Sequence, residues 1–492
     1  MHLLHARAAF ALLAGSFAIA TACGSDRKFP SREGGGAEGG EAGDSEATAG
    51  NANHAGSGGA SHAGAANGGE GNMGGSADQA GAGGEAGTGA TNGEGGASGE
   101  PGIPACGSPA QPCCASDMCV ANAACTTGSC ACATNYTACT DACVDLKGDA
   151  RNCGACGHSC LGGTCDLGSC QPKTIATGQS RLTRMATDGT YLYWSGALTG
   201  TADYYVSRAR VDGTGTVKVI ASGEQGAGAL AVTSDKVYWL AKGQLRSCDM
   251  PDCTTGAQNA ATATSNGVSG DILYEPGKKA LYWSRGATYN TKDGTLYRLA
   301  SGSTTPTVIG TNPSNPGALV SDSGNVYWIN SSTYTTDNLN ADGGLWRVRT
   351  SDDTTTQLAS SMKGDISYLA IGGSGLFFAG NIQITGSSPV MFTGAILRAP
   401  LPNGFGTGPQ PKFADAKNVR GMEADDKYLY FADESGSQGT ISRCPIAACP
   451  TPETIVPGLY QPNLGAQDAT SIYFAASSSS ATTTFTIQRL AK

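Results

Sequence analysis

The chain has 492 residues, a formal charge of −9, 73 Gly and 19 Cys, and only 14% of its residues are charged. That length exceeds what one domain usually needs. Ten acidic residues and no Lys or Arg lie between Glu33 and Pro104. The remainder is therefore near neutral, with no basic stripe to neutralise phosphates, which argues against nucleic acid as a partner.

The opening "MHLLHARAAFALLAGSFAIATAC" reads as an export signal. His2, His5 and Arg7 make a weakly basic start, and Ala8 to Ala22 is an apolar run too short for a comfortable membrane span. It stops at Cys23, followed by Gly-Ser-Asp. This resembles the lipobox of bacterial lipoproteins, which implies that Cys23 is lipidated and becomes the N-terminus. The sequence departs from that pattern at Ala20, where the family prefers Leu, and Ala20-Thr21-Ala22 also fits an ordinary cleavage site. The expected location is the outer membrane or cell surface, with simple secretion or the periplasm as the alternative, and a lipid anchor as the sole membrane contact.

Residues 24 to 105 are Gly, Ala, Ser, Asn and Glu with almost no large apolar side chain. Such a segment cannot bury enough surface to offset its ordering entropy, so a disordered tether is expected. The domains then run 1–22 signal peptide, 23–105 lipidated Cys and tether, 106–171 a cysteine-rich segment and 172–492 a larger C-terminal domain.

Fourteen Cys lie between Cys106 and Cys170: Cys106, Cys113, Cys114, Cys119, Cys125, Cys130, Cys132, Cys139, Cys143, Cys153, Cys156, Cys160, Cys165 and Cys170. Few aliphatic residues accompany them, so disulfides must hold the segment together. Cys248 with Cys253 and Cys444 with Cys449 form two further local pairs, leaving Cys23 as the odd one. Cys153, Cys156, His158 and Cys160 also have zinc-like spacing. In an exported chain this density favours disulfides, and no metal or cofactor is expected. "CVDLKGDARNCGACGHSCLGGTCDLGSC" from Cys143, with its Asn-Cys-Gly-x-Cys-Gly core, resembles the cysteine-rich repeat of the stigma-specific protein family of plants. That resemblance implies an extracellular disulfide module without catalytic residues.

From Pro172 onward, short strand signals recur and helical periodicity is absent. Aromatic triplets begin at Leu192, Val237, Leu281, Val326, Leu376, Leu429 and Ile472. A spacing of 43 to 53 residues is the period of a four-stranded propeller blade. Apolar residues at consecutive positions suit a blade covered on both faces, so Trp194, Trp239, Trp283 and Trp328 are expected to pack between blades. The third strand carries Arg at 208, 298, 347, 398, 443 and 489, with Ser247 in that slot in the second repeat. An Arg stem can cover apolar surface while its guanidinium reaches a carbonyl or carboxylate. Each of the two propeller Cys pairs is expected to bridge the hairpin between third and fourth strands. The last repeat lacks an outer strand, and "PKTIATG" at 172–178 matches it, so an N-terminal strand is expected to close the ring.

The expected fold class is thus all-β: a seven-bladed propeller closed by an N-terminal strand, preceded by the disulfide module and the tether. The triplets resemble the Tyr-Trp-Thr-Asp propellers of lipoprotein-receptor ectodomains, and propeller lipoproteins of predatory and soil bacteria. The Thr-Asp of the receptor family is missing: Ser195, Leu240, Ser284 and Ile329 follow the four Trp.

No His lies in the propeller, which removes His-dependent triads and His metal sites there. Its five Glu, at 224, 275, 423, 434 and 453, occupy different repeat positions, so no converging carboxylate pair is visible. No phosphate-binding Gly loop leads from a strand into a helix. The leading expectation is a monomeric, non-catalytic recognition propeller that binds a protein or glycan. An extracellular polymer lyase or hydrolase is the second reading, and a structural or assembly component of the outer membrane the third. Long, variable loops between second and third strands share a face with the links between blades, and recognition usually sits on long loops over a rigid scaffold. That face is expected to carry Arg184, Tyr204, Glu224, Asn266, Tyr289, Asn290, Asn315, Tyr334, Lys363, Asn381, Arg420 and Tyr460.

Overall fold

The computed structural model describes residues 106–492 apart from 181, 198–203, 242, 262–267, 287–293, 312–315, 323, 331–342, 385–389, 402–411, 435–437 and 481–483. The export segment, Cys23 and the tether lie outside the described residues.

The cysteine-rich segment contains three two-stranded ribbons, Ala123–Thr126 with Ser129–Cys132, Thr137–Cys139 with Ala142–Val144, and Cys165–Asp166 with Ser169–Cys170. Its fourteen Cys pair as 106–114, 113–125, 119–130, 132–143, 139–156, 153–165 and 160–170. The sulfurs of Cys153, Cys156 and Cys160 thus each close on a different partner. Two bridges, Cys132–Cys143 and Cys139–Cys156, lock the first half to the second.

The rest of the chain is an all-β propeller of antiparallel sheets. The first three repeats each form one four-stranded sheet. The fourth and fifth share a seven-stranded sheet, because Thr355–Gly372 is the outer strand of one and continues as the inner strand of the next. Glu453–Gln467 joins the sixth and seventh in the same way. Dividing these two sheets at their long strands yields the sevenfold pattern of the triplets. The outermost strand of the last sheet is Lys173–Ser180, which pairs from Arg489↔Lys173 to Thr484↔Ser180. The N-terminal segment therefore does supply the strand that the C-terminal repeat lacks.

The triplets form second strands, and their burial explains the consecutive apolar residues. Successive side chains point to opposite faces of a strand. The middle residue packs toward the following repeat, and the flanking two pack toward the preceding one. Tyr193 clusters with Val237 and Trp239, Tyr327 with Leu376 and Phe378, and Tyr430 with Ile472 and Phe474. Tyr473 of the last repeat clusters with Leu192 and Trp194 of the first, which completes the ring. The four Trp of the triplets are all buried, with 3% or less of their surface exposed.

Two devices tie off the face that carries the first hairpin turns. One is an Asp five residues before the central Tyr of the triplet. Asp322 Oδ1 accepts the N–H groups of Gly324 and Asn325, and its Oδ2 accepts the Tyr327 hydroxyl at 2.8 Å. Asp188 with Tyr193 and Asp468 with Tyr473 repeat the arrangement. Burial, reinforced by the neighbouring Asp, pushes the hydroxyls of Tyr193, Tyr327 and Tyr473 up.

The other device is the third-strand Arg, which reaches the third turn of the next repeat. Arg208 pairs with Asp252, Arg298 meets Asp353 at 2.8 Å, Arg398 donates to Ile446 O, and Arg489 donates to Val211 O. Arg443 instead forks onto Glu453 of its own sheet. The disulfides Cys248–Cys253 and Cys444–Cys449 close two of these turns.

The cysteine-rich segment docks on this same face. Cys153, Cys160 and Cys170 join the cluster of Tyr430, Ile472 and Leu490. His158 places Nδ1 2.6 Å from Cys153 O and Nε2 2.8 Å from Lys492 O. A cleft lined by His158, Asp425, Tyr428, Arg443 and Lys492 runs along the seam.

Candidate functional site

The inner strands of all seven repeats line one central cavity of about 340 Å³. Most of its wall is strand backbone and aliphatic side chains. Its charged residues are Arg184, Asp271 and Glu423, with Ser321, Tyr368 and Gln467 as further polar groups. The three charged residues come from the first, third and sixth repeats.

A local irregularity places two of them. The register shifts between Leu182 and Arg184, and again between Ser269 and Ile272. Such a bulge re-aims the side chain at the break. Arg184 and Asp271 each precede the residue that pairs with the Trp of the triplet, Met185↔Trp194 and Ile272↔Trp283. Glu423 follows the equivalent residue, Met422↔Phe431. Arg184 and Asp271 thus sit toward the long-loop end, and Glu423 one side-chain level nearer the short turns. Gly421 permits the walls to close here: its φ is +131°, and a Cβ would stand 1.9 Å from Leu464 O.

Asp271 is well provided for. Oδ1 accepts Ile272 N at 3.0 Å, Oδ2 accepts Leu319 N of the next repeat at 2.9 Å, and Arg184 Nε lies 3.8 Å from Oδ1. Glu423 is different. The other four propeller Glu are engaged: Glu224 by Trp239 and Arg246, Glu275 by the turn N–H groups of Gly277 and Lys278, Glu434 by Arg420, and Glu453 by Arg443. Glu423 has no hydrogen-bond partner among the described residues. Nearby Lys492 is committed to Gln467 at 2.7 Å and Asp425 at 3.1 Å. Burial pushes the Glu423 carboxyl up to about 7; Arg184 and Lys492 oppose that rise, and Asp271 adds to it.

Of the expected face residues, the structure brings Arg184 to the mouth of this cavity. Arg420 is exposed and pairs with Glu434 at 2.8 Å. Tyr204 is half-buried, as is Tyr460, whose hydroxyl lies 3.3 Å from Gln438 Nε2. Glu224 is 3% exposed, and its carboxylate is taken up inside the sheet by Trp239 and Arg246. Lys363 and Asn381 occupy strand positions opposite Gln383 and Asp365. Asn266, Tyr289, Asn290, Asn315 and Tyr334 lie outside the described residues. Ser195, which follows Trp194, donates to Gly228 O of the next repeat at 2.7 Å.

The convergence of Asp271 and Glu423 is what sequence reasoning missed. They belong to different repeats at different levels, and nothing in the spacing links them. The Asp–Tyr pairing did leave a signal, a constant offset of five residues at 188/193, 322/327 and 468/473.

No family model matches the chain, and no curated protein matches it. Solved structures similar to it include the β-propeller domain of the trilobed protease of Pyrococcus furiosus, which has an open velcro topology; it is 8% identical with a TM-score of 0.42, over 60% of this chain and 91% of that one. The AfRom2 CNH domain is 10% identical with a TM-score of 0.42, over 65% and 99%. A nidogen/laminin complex chain is 13% identical with a TM-score of 0.34, over 55% and 90%.

Proposed function

We propose that the chain is an exported, non-catalytic recognition protein: a seven-bladed propeller held at the bacterial outer membrane or cell surface through a lipidated Cys23, and binding a protein or glycan with its long-loop face. The observation that carries this reading is the difference between the two faces. The short-turn face is occupied by the cysteine-rich segment and tied off by Asp–Tyr and Arg clips. The long-loop face holds the links between repeats, with Arg420 and Tyr460 on the strands that continue them and Tyr204 at the start of a third strand. Tyr and Arg are common anchors of interfaces.

The test is a glycan array and an extracellular-protein binding screen with the mature chain. A ligand is expected that loses about tenfold in affinity, roughly 1.4 kcal/mol, on combining Tyr204→Ala with Tyr460→Ala in a variant whose fold circular dichroism shows to be retained. Loss on substituting Lys427 or Thr470 of the short turns, with the Tyr pair silent, would place recognition on the other face and overturn the reading.

A further inference from the structure

The central cavity is a second place where chemistry converges, and it does not depend on the long-loop reading. Its Asp271 is neutralised locally by Arg184 and two backbone N–H groups. Arg184 meets Asp271 through Nε, and no hydrogen bond engages its terminal nitrogens among the described residues. Its side chain is 37% exposed. One level deeper, Glu423 faces the same cavity with no hydrogen-bond partner among the described residues. An unengaged guanidinium end and an unengaged acid thus share one enclosure, close enough to influence each other but not paired.

From this we infer that the cavity binds a small zwitterion of the α-amino-acid class, with its carboxylate on the terminal nitrogens of Arg184 and its ammonium on Glu423. Two residues along a strand separate the Arg184 and Glu423 levels, about 7 Å. That is the offset along the strand direction, which an α-amino acid joined at each end by a hydrogen bond of about 2.9 Å covers. The cavity of about 340 Å³ falls in the range of small-molecule sites and admits a side chain against Leu230 and Leu319. A lone cation leaves the Arg184 terminus unmatched, and a lone anion leaves Glu423 unmatched. Either half alone forgoes one of the two charge-assisted hydrogen bonds.

The charged groups facing Glu423 are Arg184 and Asp271 across the cavity and Lys492 from below. Burial holds the free acid partly protonated near neutrality. An incoming ammonium favours the carboxylate, so binding at pH 7 releases a proton into the buffer. The charge balance is an ammonium retained, a carboxylic proton lost and an ion pair formed.

The experiment is titration calorimetry on the mature full-length chain with each standard amino acid, in two buffers of different ionisation heat. The best binder is then compared with its own decarboxylated amine and its own deaminated acid. The expected result is at least one amino acid with a dissociation constant below about 1 mM, with both single-charge halves at least tenfold weaker, and a binding heat that changes with the buffer. Glu423→Gln, which keeps shape and removes charge, should lose at least tenfold and abolish the buffer dependence. Arg184→Lys should weaken the intact amino acid and its deaminated acid while leaving the amine unchanged. Three results overturn the inference: no binding by any amino acid up to about 10 mM, equal binding of the amine or acid half, or a folded Glu423→Gln that binds as tightly as the parent.

Discussion

Between Cys106 and Cys170 the buried apolar residues are all Cys; from Lys173 onward they are Leu, Ile, Val, Met, Tyr, Trp, Phe and Ala, with Cys248, Cys253, Cys444 and Cys449. The first region has seven disulfides and two-residue to four-residue strands. The second has two disulfides, each closing a local turn, and a ring of clusters in which every repeat completes the core of its neighbour. A segment too short of aliphatic side chains to offset its chain entropy is stabilised through its unfolded state, by removing disorder there. A repeat ring is stabilised through its folded state, by apolar area. The two regions should therefore answer to different perturbations.

Reduction separates them most strongly. Seven bridges over short loops are worth about 2–4 kcal/mol each, so dithiothreitol should abolish amide protection across 106–170. Protection across the triplet strands should persist. Equal loss in both regions, followed by hydrogen exchange, would erase the distinction.

Deleting 173–180 attacks the other region. It removes the outer strand of the last sheet and exposes the edge of Thr484–Ala491. The melting temperature should fall on the order of 10 °C, with aggregation. An unchanged calorimetric transition would mean that closure contributes nothing to the ring.

Single side chains sharpen the contrast. Trp194→Ala opens a cavity between the first and last repeats and should cost about 3–5 kcal/mol in urea denaturation. Met118→Ala, in the cysteine-rich segment and 59% exposed, should cost under about 0.5 kcal/mol.

Glu423 adds a dependence on pH. Its folded value of about 7 lies above the ordinary 4.5, so the folded state holds the proton more tightly than the unfolded chain does. Stability should be greatest below pH 4.5 as far as this group is concerned, and should fall as pH rises through 7. Glu423→Gln should flatten that decline and gain on the order of 1–3 kcal/mol at pH 8, allowing for its contact with cavity water. A parallel pH profile for parent and variant would show that the acid is not held in this way.

A single clip contributes less than a core side chain. Arg298→Ala breaks one half-exposed pair with Asp353 and should cost about 1 kcal/mol.

What was legible in the sequence was whatever repeats. The triplets marked every second strand, because a residue covered on both faces must be apolar at consecutive positions. The 172–178 segment was legible as a missing outer strand because it matched a neighbour. Cys248–Cys253 and Cys444–Cys449 were legible because they sit at one place in two repeats. The pairing among the fourteen clustered Cys was not, since spacing alone permits many connectivities. Neither was the charged cavity. Arg184, Asp271 and Glu423 each break the repeat, so periodicity treats them as noise. Breaks in a repeat at cavity-facing positions are where site residues of such a fold should be sought.

The closing strand also sets an order of events. Lys173–Ser180 emerges from synthesis before any of the repeats, yet its partner is Thr484–Ala491. Its ladder cannot form until about 300 further residues have been made and threaded into sheets. Over that interval the strand is a solitary edge, open to wrong partners. The bridge Cys160–Cys170 lies directly upstream and can oxidise without waiting for the ring. A cross-linked segment immediately before a waiting strand restricts where that strand can wander.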